Sequence, residues 1–198
     1  MSPRRLVLAS ASPRRMRLLD EARYNFVVEP AHLDEEMHAK STMPIDLAME
    51  LARAKADLVS AKFPDDVVLA ADTVVALGDW IIGKPRDAAH ALKIIELLAG
   101  ATHIVITGVS VVCRATGFAQ HTKDMSSVQM NVLTAKELDA YIESKHWEGK
   151  AGGYGLQDPQ PIVRCLHGDP TNVIGLPMKK TTKLLAEAGI VAWNSPET

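Results

Sequence analysis

The sequence contains no GxxxxGK followed by Ser or Thr, and its glycines lack the spacing of a dinucleotide fingerprint. Neither a P-loop nor a Rossmann cofactor is indicated. Only two cysteines occur, Cys113 and Cys165, without CxxC spacing, and the seven histidines show no zinc-binding spacing. A structural zinc site is therefore not expected. Both cysteines lie in apolar, strand-like stretches, which suits reduced thiols in a cytoplasmic protein, although two cysteines can also pair. Aromatic residues are sparse at 5%, and the formal net charge is -2. With no stacking motif and no bulk positive charge, nucleic acid is not an expected partner, and any anion site must be local. No apolar run approaches membrane-spanning length, and the early arginines are not followed by an adequate signal-peptide core. There are no repeats, long linkers or low-complexity tracts, and residues 194–198 read as a loose tail. What is present is 198 residues, 47% apolar and 23% charged. That is enough chain for a packed α/β core in one large domain or two closely joined lobes.

Ser10-Ala11-Ser12-Pro13-Arg14-Arg15 follows the apolar run Leu6-Val7-Leu8-Ala9 and precedes an apolar-spaced segment. The pattern predicts a short strand over 5–9, a tight loop, and a helix over 13–22 with Ser12 as its N-cap. Free N–H groups, a helix dipole and two arginines then converge on one point, where a phosphate chain fits. On the hexapeptide alone, a capped surface helix with two solvated arginines fits as well.

A second strand is expected over 25–28, leading into the acidic loop His32-Leu33-Asp34-Glu35-Glu36. The next helix, over 44–62, carries Leu47, Leu51, Ala54 and Leu58 at helical spacing. Lys55 falls at the margin of that stripe, where it snorkels or projects its ammonium into a cleft. Residues 67–77 form a nearly unbroken apolar run, as in a strand buried on both faces. Asp72-Thr73 interrupts it. A buried carboxylate is costly unless paired, hydrogen-bonded or on a metal, so a strand end or bulge opening on a cleft is expected there.

Gly78-Asp79 turns a hairpin into 80–82, and Gly83-Lys84-Pro85 leaves the Lys84 amine reaching outward. Asp87 caps a helix over 88–99 whose Ala91, Leu92, Ile95 and Leu98 face inward. Long antiparallel strands over 103–114 and 118–132 follow, then a Thr134-capped helix over 135–144. A glycine-rich stretch over 149–155 permits close backbone approach and precedes Gln157, whose amide can read a polar ring edge. A strand over 162–167, turns through Asn172, and a helix over 178–188 complete the chain.

These pieces together resemble the Maf (septum-formation-inhibitor) family of nucleoside triphosphate pyrophosphatases. The resemblance rests on Ser-Ala-Ser-Pro-Arg-Arg (10–15), Leu-Ala-Arg-Ala-Lys-Ala (51–56) and Ala-Ala-Asp-Thr-Val-Val (70–75). It continues through Gly-Lys-Pro (83–85), Thr-Gly-Val (107–109), Lys-Ala-Gly-Gly-Tyr-Gly-Leu-Gln (150–157) and Val-Ile-Gly-Leu-Pro (173–177). It implies a mixed, elongated sheet in two lobes flanked by helices, similar to inosine triphosphatase-like (Maf/Ham1) proteins, with a nucleotide cleft between the lobes of a single domain over 1–198. It implies hydrolysis of a nucleoside triphosphate to monophosphate and pyrophosphate. Asp72 would be the general base, and Ser10, Arg14, Arg15, Lys55 and Lys84 would hold the triphosphate. Asp34 or Glu35, with Asp72, would bind a divalent cation: Mg²⁺, Mn²⁺ or Co²⁺. Arg14, Thr73 and Gln157 stand at the positions that separate substrate preferences, and this set is similar to the dTTP/UTP-preferring branch. A branch preferring 7-methyl-GTP typically carries Trp, Gln and Glu there. Gln157 is followed by Asp158-Pro159-Gln160-Pro161, where the dTTP branch usually has a Gly-rich segment. A homodimer is common in the family. The competing expectation is a non-catalytic nucleotide-binding regulator of cell division, which would bind nucleotide without turnover.

Overall fold

The computed structural model describes residues 4–34, 38 and 40–193; Glu35 and the expected loose tail lie outside them. A seven-stranded mixed sheet runs through the molecule. Its strands are β1 (Leu6–Leu8), β2 (Phe26–Val28), β3 (Val67–Leu77), β4 (Trp80–Ile82), β5 (Thr102–Cys113), β6 (Phe118–Met130) and β7 (Val163–His167). The order is β2-β1-β3-β5-β6-β7, with β4 paired to β3. β1 is parallel to β2 and to β3, and the remaining pairs are antiparallel. The helices are α1 (Pro13–Glu21), α2 (Pro44–Ser60), α3 (Ala88–Leu98), α4 (Ala135–Glu143), α5 (Pro170–Ile174) and α6 (Met178–Glu187). No helix among the described residues is long and apolar enough to cross a membrane.

Several local expectations hold. Asp87 accepts the His90 N–H at 2.7 Å at the start of α3. Thr134 and Glu137 form a capping box on α4. Ser12 occupies the N-cap position of α1 but makes no side-chain cap bond. Its N–H instead donates to Ser10 Oγ at 3.2 Å. On α3 the fourth inward residue is Ile94, whereas Leu92 is only half-buried. The stretch expected as turns before Gly175 includes α5, capped by the Asp169 side chain. Five residues are too few to show a helical period. Both cysteines are free thiols.

The expected bulge or strand end at Asp72 is absent. β3 pairs with β5 without interruption from Val68↔Val112 to Ala76↔Ile104. The opening lies on the other edge of β3. There β1 accompanies it only as far as Leu69, and β4 begins only opposite Val75. Between those points β3 has an unpaired edge, because the chain leaves β1 at Ala9 to enter α1.

The core divides at the same place. On one face, a cluster with Leu69 and Ala71 under α1 and α6 is separate from one with Val75 under α3 and α4. On the other face, clusters around Ala70 and around Val74 both pack beneath α2. Asp72 and Thr73 sit at the junction, on opposite faces by strand alternation.

The inward face of α2 differs from the large-residue stripe. Leu58 is exposed and Ala54 half-buried, while Ala48, Ala52, Lys55, Ala56 and Val59 face in. Small residues let this helix lie unusually close to the sheet. A Cβ added to Gly108, the partner of Asp72 across β5, would come within 2.4 Å of the Ala48 carbonyl oxygen. Lys55 therefore lies within the buried face and does not snorkel.

Candidate active site

A cavity of about 560 Å³ opens at the unpaired edge of β3. Its walls come from the β1–α1 loop, the middle of β3, the loop after β4, the 148–158 segment and the end of α5. Ser10, Arg14, Arg15, Lys55, Asp72, Thr73, Lys84 and Gln157 all line it, so nearly every expected site residue is brought together. Asp34 is exposed and does not line the cavity.

Asp72, 5% exposed, accepts the Lys55 ammonium on Oδ1 at 2.5 Å, and Lys55 is itself only 8% exposed. The carboxylate that made the β3 sequence anomalous is thus paired by a helix seventeen residues upstream. Removing one member of such a pair would leave an uncompensated buried charge.

Arg15 reaches three segments at once. Nε donates to the Gly175 carbonyl at 2.8 Å, Nη1 to Ser10 Oγ at 3.1 Å, and Nη2 to Thr73 Oγ1 at 3.2 Å. Gly175 has φ +121°, a backbone conformation that glycine adopts readily and other residues rarely do. Arg14 donates to the Gly149 carbonyl at 3.3 Å. Burial lowers its guanidinium below the ordinary arginine value, and nearby Asp158 opposes that effect. Lys84 is exposed at the cavity mouth, on a loop pinned by the Gly152 N–H donating to the Gly83 carbonyl at 3.0 Å. Gln157 is exposed and lines the cavity from the 148–158 segment.

Residues without an assigned role in the sequence reading also build the site. Asp158 pairs with Lys150, and its Oδ2 accepts the Gly155 N–H at 2.8 Å and the Tyr141 hydroxyl at 2.9 Å. It thereby closes the segment that ends in Gln157. Its departure from the family pattern was the available signal. Tyr154 lines the cavity, and its hydroxyl meets His103 Nε2 in the core behind it. Burial pushes the His103 imidazole down to about 4, so it stays neutral, and pushes the Tyr154 phenol up.

No group of three or more His, Cys, Asp and Glu able to hold a metal occurs among the described residues. The acids expected for that purpose are Asp72 in the cavity, Asp34 outside it, and Glu35, which lies outside the described residues.

A cavity lined by basic side chains around a strand-borne carboxylate is arranged for a phosphorylated anion. A dTTP/UTP pyrophosphatase of Roseobacter denitrificans is 41% identical over 187 residues, covering 92% of this chain and 96% of the relative. One from Cereibacter sphaeroides is 42% identical over 187 residues, covering 93% and 95%. The crystal structure of a nucleoside-triphosphatase / dITP/XTP pyrophosphatase from Mycobacterium abscessus is more loosely similar. It has a TM-score of 0.47 and 15% identity, over 93% of this chain and 97% of that one. The family profile described as Maf-like protein matches residues 5–188, which include every cavity-lining residue. The chain belongs to the Maf family.

Proposed function

We propose that this chain hydrolyses dTTP and UTP to the nucleoside monophosphate and pyrophosphate, clearing them or their modified forms from the cytoplasmic nucleotide pool. The observation that carries this reading is Asp72, held by Lys55 at the open edge of β3 in a cavity also lined by Arg14, Arg15 and Lys84. Relatives about 40% identical over more than nine-tenths of the chain bear that activity in their names.

The basic residues balance the charge of the triphosphate and align its α-phosphorus with the Asp72 carboxylate. Lys55 anchors one carboxylate oxygen, leaving the other to receive a proton from water. As the water oxygen bonds to the α-phosphorus, the bond from that phosphorus to the bridging oxygen breaks. Pyrophosphate leaves with the electron pair, and Arg14, Arg15 and Lys84 stabilise the charge it gains. From the 148–158 segment, the Gln157 amide offers a donor and an acceptor to the carbonyl and N–H edge of a pyrimidine.

The expected acids are all hard oxygen donors, and Mg²⁺ is commonly held by one or two carboxylates plus substrate phosphates, so the set fits Mg²⁺ or Mn²⁺. Asp72 would hold the ion together with phosphate oxygens of the substrate. When bound it neutralises and orients phosphate oxygens.

Pyrophosphate release from dTTP, UTP, CTP, GTP, ATP and 7-methyl-GTP, with Mg²⁺, with Mn²⁺ and without metal, tests the reading. Metal-dependent release strongest for dTTP and UTP is the expected result. Preference for 7-methyl-GTP would overturn the reading of Arg14, Thr73 and Gln157, and tight binding without release would favour the regulator.

Asp158 gives a second test of the base-side wall. Asp158→Asn loses the charge facing Lys150, both side chains being largely buried. KM for dTTP is expected to rise about tenfold, the scale of one charge-assisted hydrogen bond, with kcat changed less. An unchanged KM would remove Asp158 from the wall that positions Gln157.

A further inference from the structure

Thr73 stands at a position associated with base preference, yet its hydroxyl is engaged on the phosphate side of the cavity. Arg15 Nη2 can only donate, so Thr73 Oγ1 accepts at that 3.2 Å contact. Thr73 Oγ1 also lies 3.0 Å from Thr107 Oγ1, its partner across β5. Thr107 Oγ1 lies 3.0 Å from the Asn172 carbonyl, which can only accept, so the Thr107 hydrogen goes there. The hydrogen between the two threonines must then come from Thr73. The chain runs one way: Arg15 to Thr73, Thr73 to Thr107, Thr107 to the Asn172 carbonyl. Thr73 then has no hydrogen left to donate to a ligand and keeps only its second lone pair as an acceptor.

The far end of this chain is fixed. Thr107 and Asn172 are both fully buried, at 0% exposure. Asn172 Nδ2 donates to the Val105 carbonyl at 3.0 Å and to Ser126 Oγ at 2.9 Å. Ser126 Oγ in turn donates to the Asp169 carbonyl at 3.0 Å. At the near end, Ser10 and Gly175 hold other nitrogens of the same guanidinium. A planar fork gripped by three acceptors from three segments has a defined plane before any ligand arrives.

We infer that Thr73 and Thr107 are positioning residues for Arg15 and so act on triphosphate binding. This rests on the pyrophosphatase reading for its substrate, but its physical content is the orientation of Arg15 toward an anion. Loss of the Thr73 hydroxyl removes an acceptor from Arg15 directly, and loss of the Thr107 hydroxyl removes the acceptor that fixes the Thr73 hydrogen and so loosens the same contact.

The test uses the full chain with inorganic tripolyphosphate as probe, read by calorimetry, alongside steady-state hydrolysis of dTTP, UTP and CTP. Thr73→Val and Thr107→Val should each weaken tripolyphosphate binding about tenfold, as loss of a charge-linked hydrogen bond does. KM for all three nucleotides should rise as well. Thr73→Ser, which keeps the hydroxyl, should match the parent, and the double valine variant should fall no further than the weaker-binding single. Thr73→Val that binds tripolyphosphate like the parent would overturn the inference. So would a folded Thr107→Val with parental binding and turnover. If Thr107→Val does not fold, the Thr73→Val and Thr73→Ser pair makes the same decision. If the parent binds tripolyphosphate but hydrolyses neither dTTP nor UTP, the proposed function fails, and the binding series alone decides the relay.

Discussion

Asp72→Asn is expected to reduce dTTP turnover by about 10²- to 10⁴-fold, the usual contribution of a positioned general base, while nucleotide still binds. The amide keeps the size of the carboxylate but cannot take the water proton at neutral pH. The same change leaves the Lys55 ammonium against a neutral group in a pocket where both side chains are about a tenth exposed. Loss of one partner from a buried pair costs about 3–5 kcal/mol, so unfolding should also come earlier. The two effects separate in the Lys55→Met, Asp72→Asn double variant. Removing both charges restores part of the lost stability and none of the activity. Single-turnover assays well below the unfolding temperature, with denaturant titrations of each variant, check both statements. Parental turnover in Asp72→Asn would remove Asp72 as the base.

Gly108→Ala is expected to destabilise the fold by about 1–3 kcal/mol, toward the upper end of what overpacking usually costs. The added Cβ would lie 2.4 Å from the Ala48 carbonyl oxygen, 2.7 Å from its carbon and 2.9 Å from the Met49 nitrogen. All three are backbone atoms, so no side chain can swing aside, and α2 itself must move off the sheet. That helix carries Lys55, whose ammonium is held to Asp72 opposite Gly108. A loss of activity should therefore accompany the loss of stability. Denaturant midpoints and dTTP turnover measured on the same preparation test this. Unchanged values in both would mean that the close approach of α2 to β5 is not needed.

The sequence made much of this molecule legible where chemistry is local. The apolar run of β3, the Thr134 cap and the cap at Asp87 are written in neighbouring residues, and they form as expected. The anomaly of Asp72 was visible for the same reason, since a carboxylate in a buried run is costly wherever it occurs. Its remedy was not visible. The large residues alone put Lys55 at the margin of the inward face of α2. Here alanines point inward, because a glycine on the adjacent strand admits the helix backbone.

The cleft was hidden in a different way. It arises from where β1 ends and β4 begins along β3, a matter of pairing between distant segments rather than of any residue in β3. The relay behind Arg15 joins residues 34 and 65 positions apart. Thr107 and Asn172 gave no local sign of it, for a threonine in a strand and an asparagine in a turn are ordinary. The family motifs placed Thr73 near the site, but the direction of its hydrogen bonds depends on partners that only the fold supplies.

The most direct test of the central claim is hydrolysis of dTTP in water enriched in ¹⁸O, with the masses of both products read. Attack of water on the α-phosphorus gives dTMP carrying one ¹⁸O and unlabelled pyrophosphate, which is the expected result. Label in the pyrophosphate, or formation of thymidine diphosphate and inorganic phosphate, would contradict it.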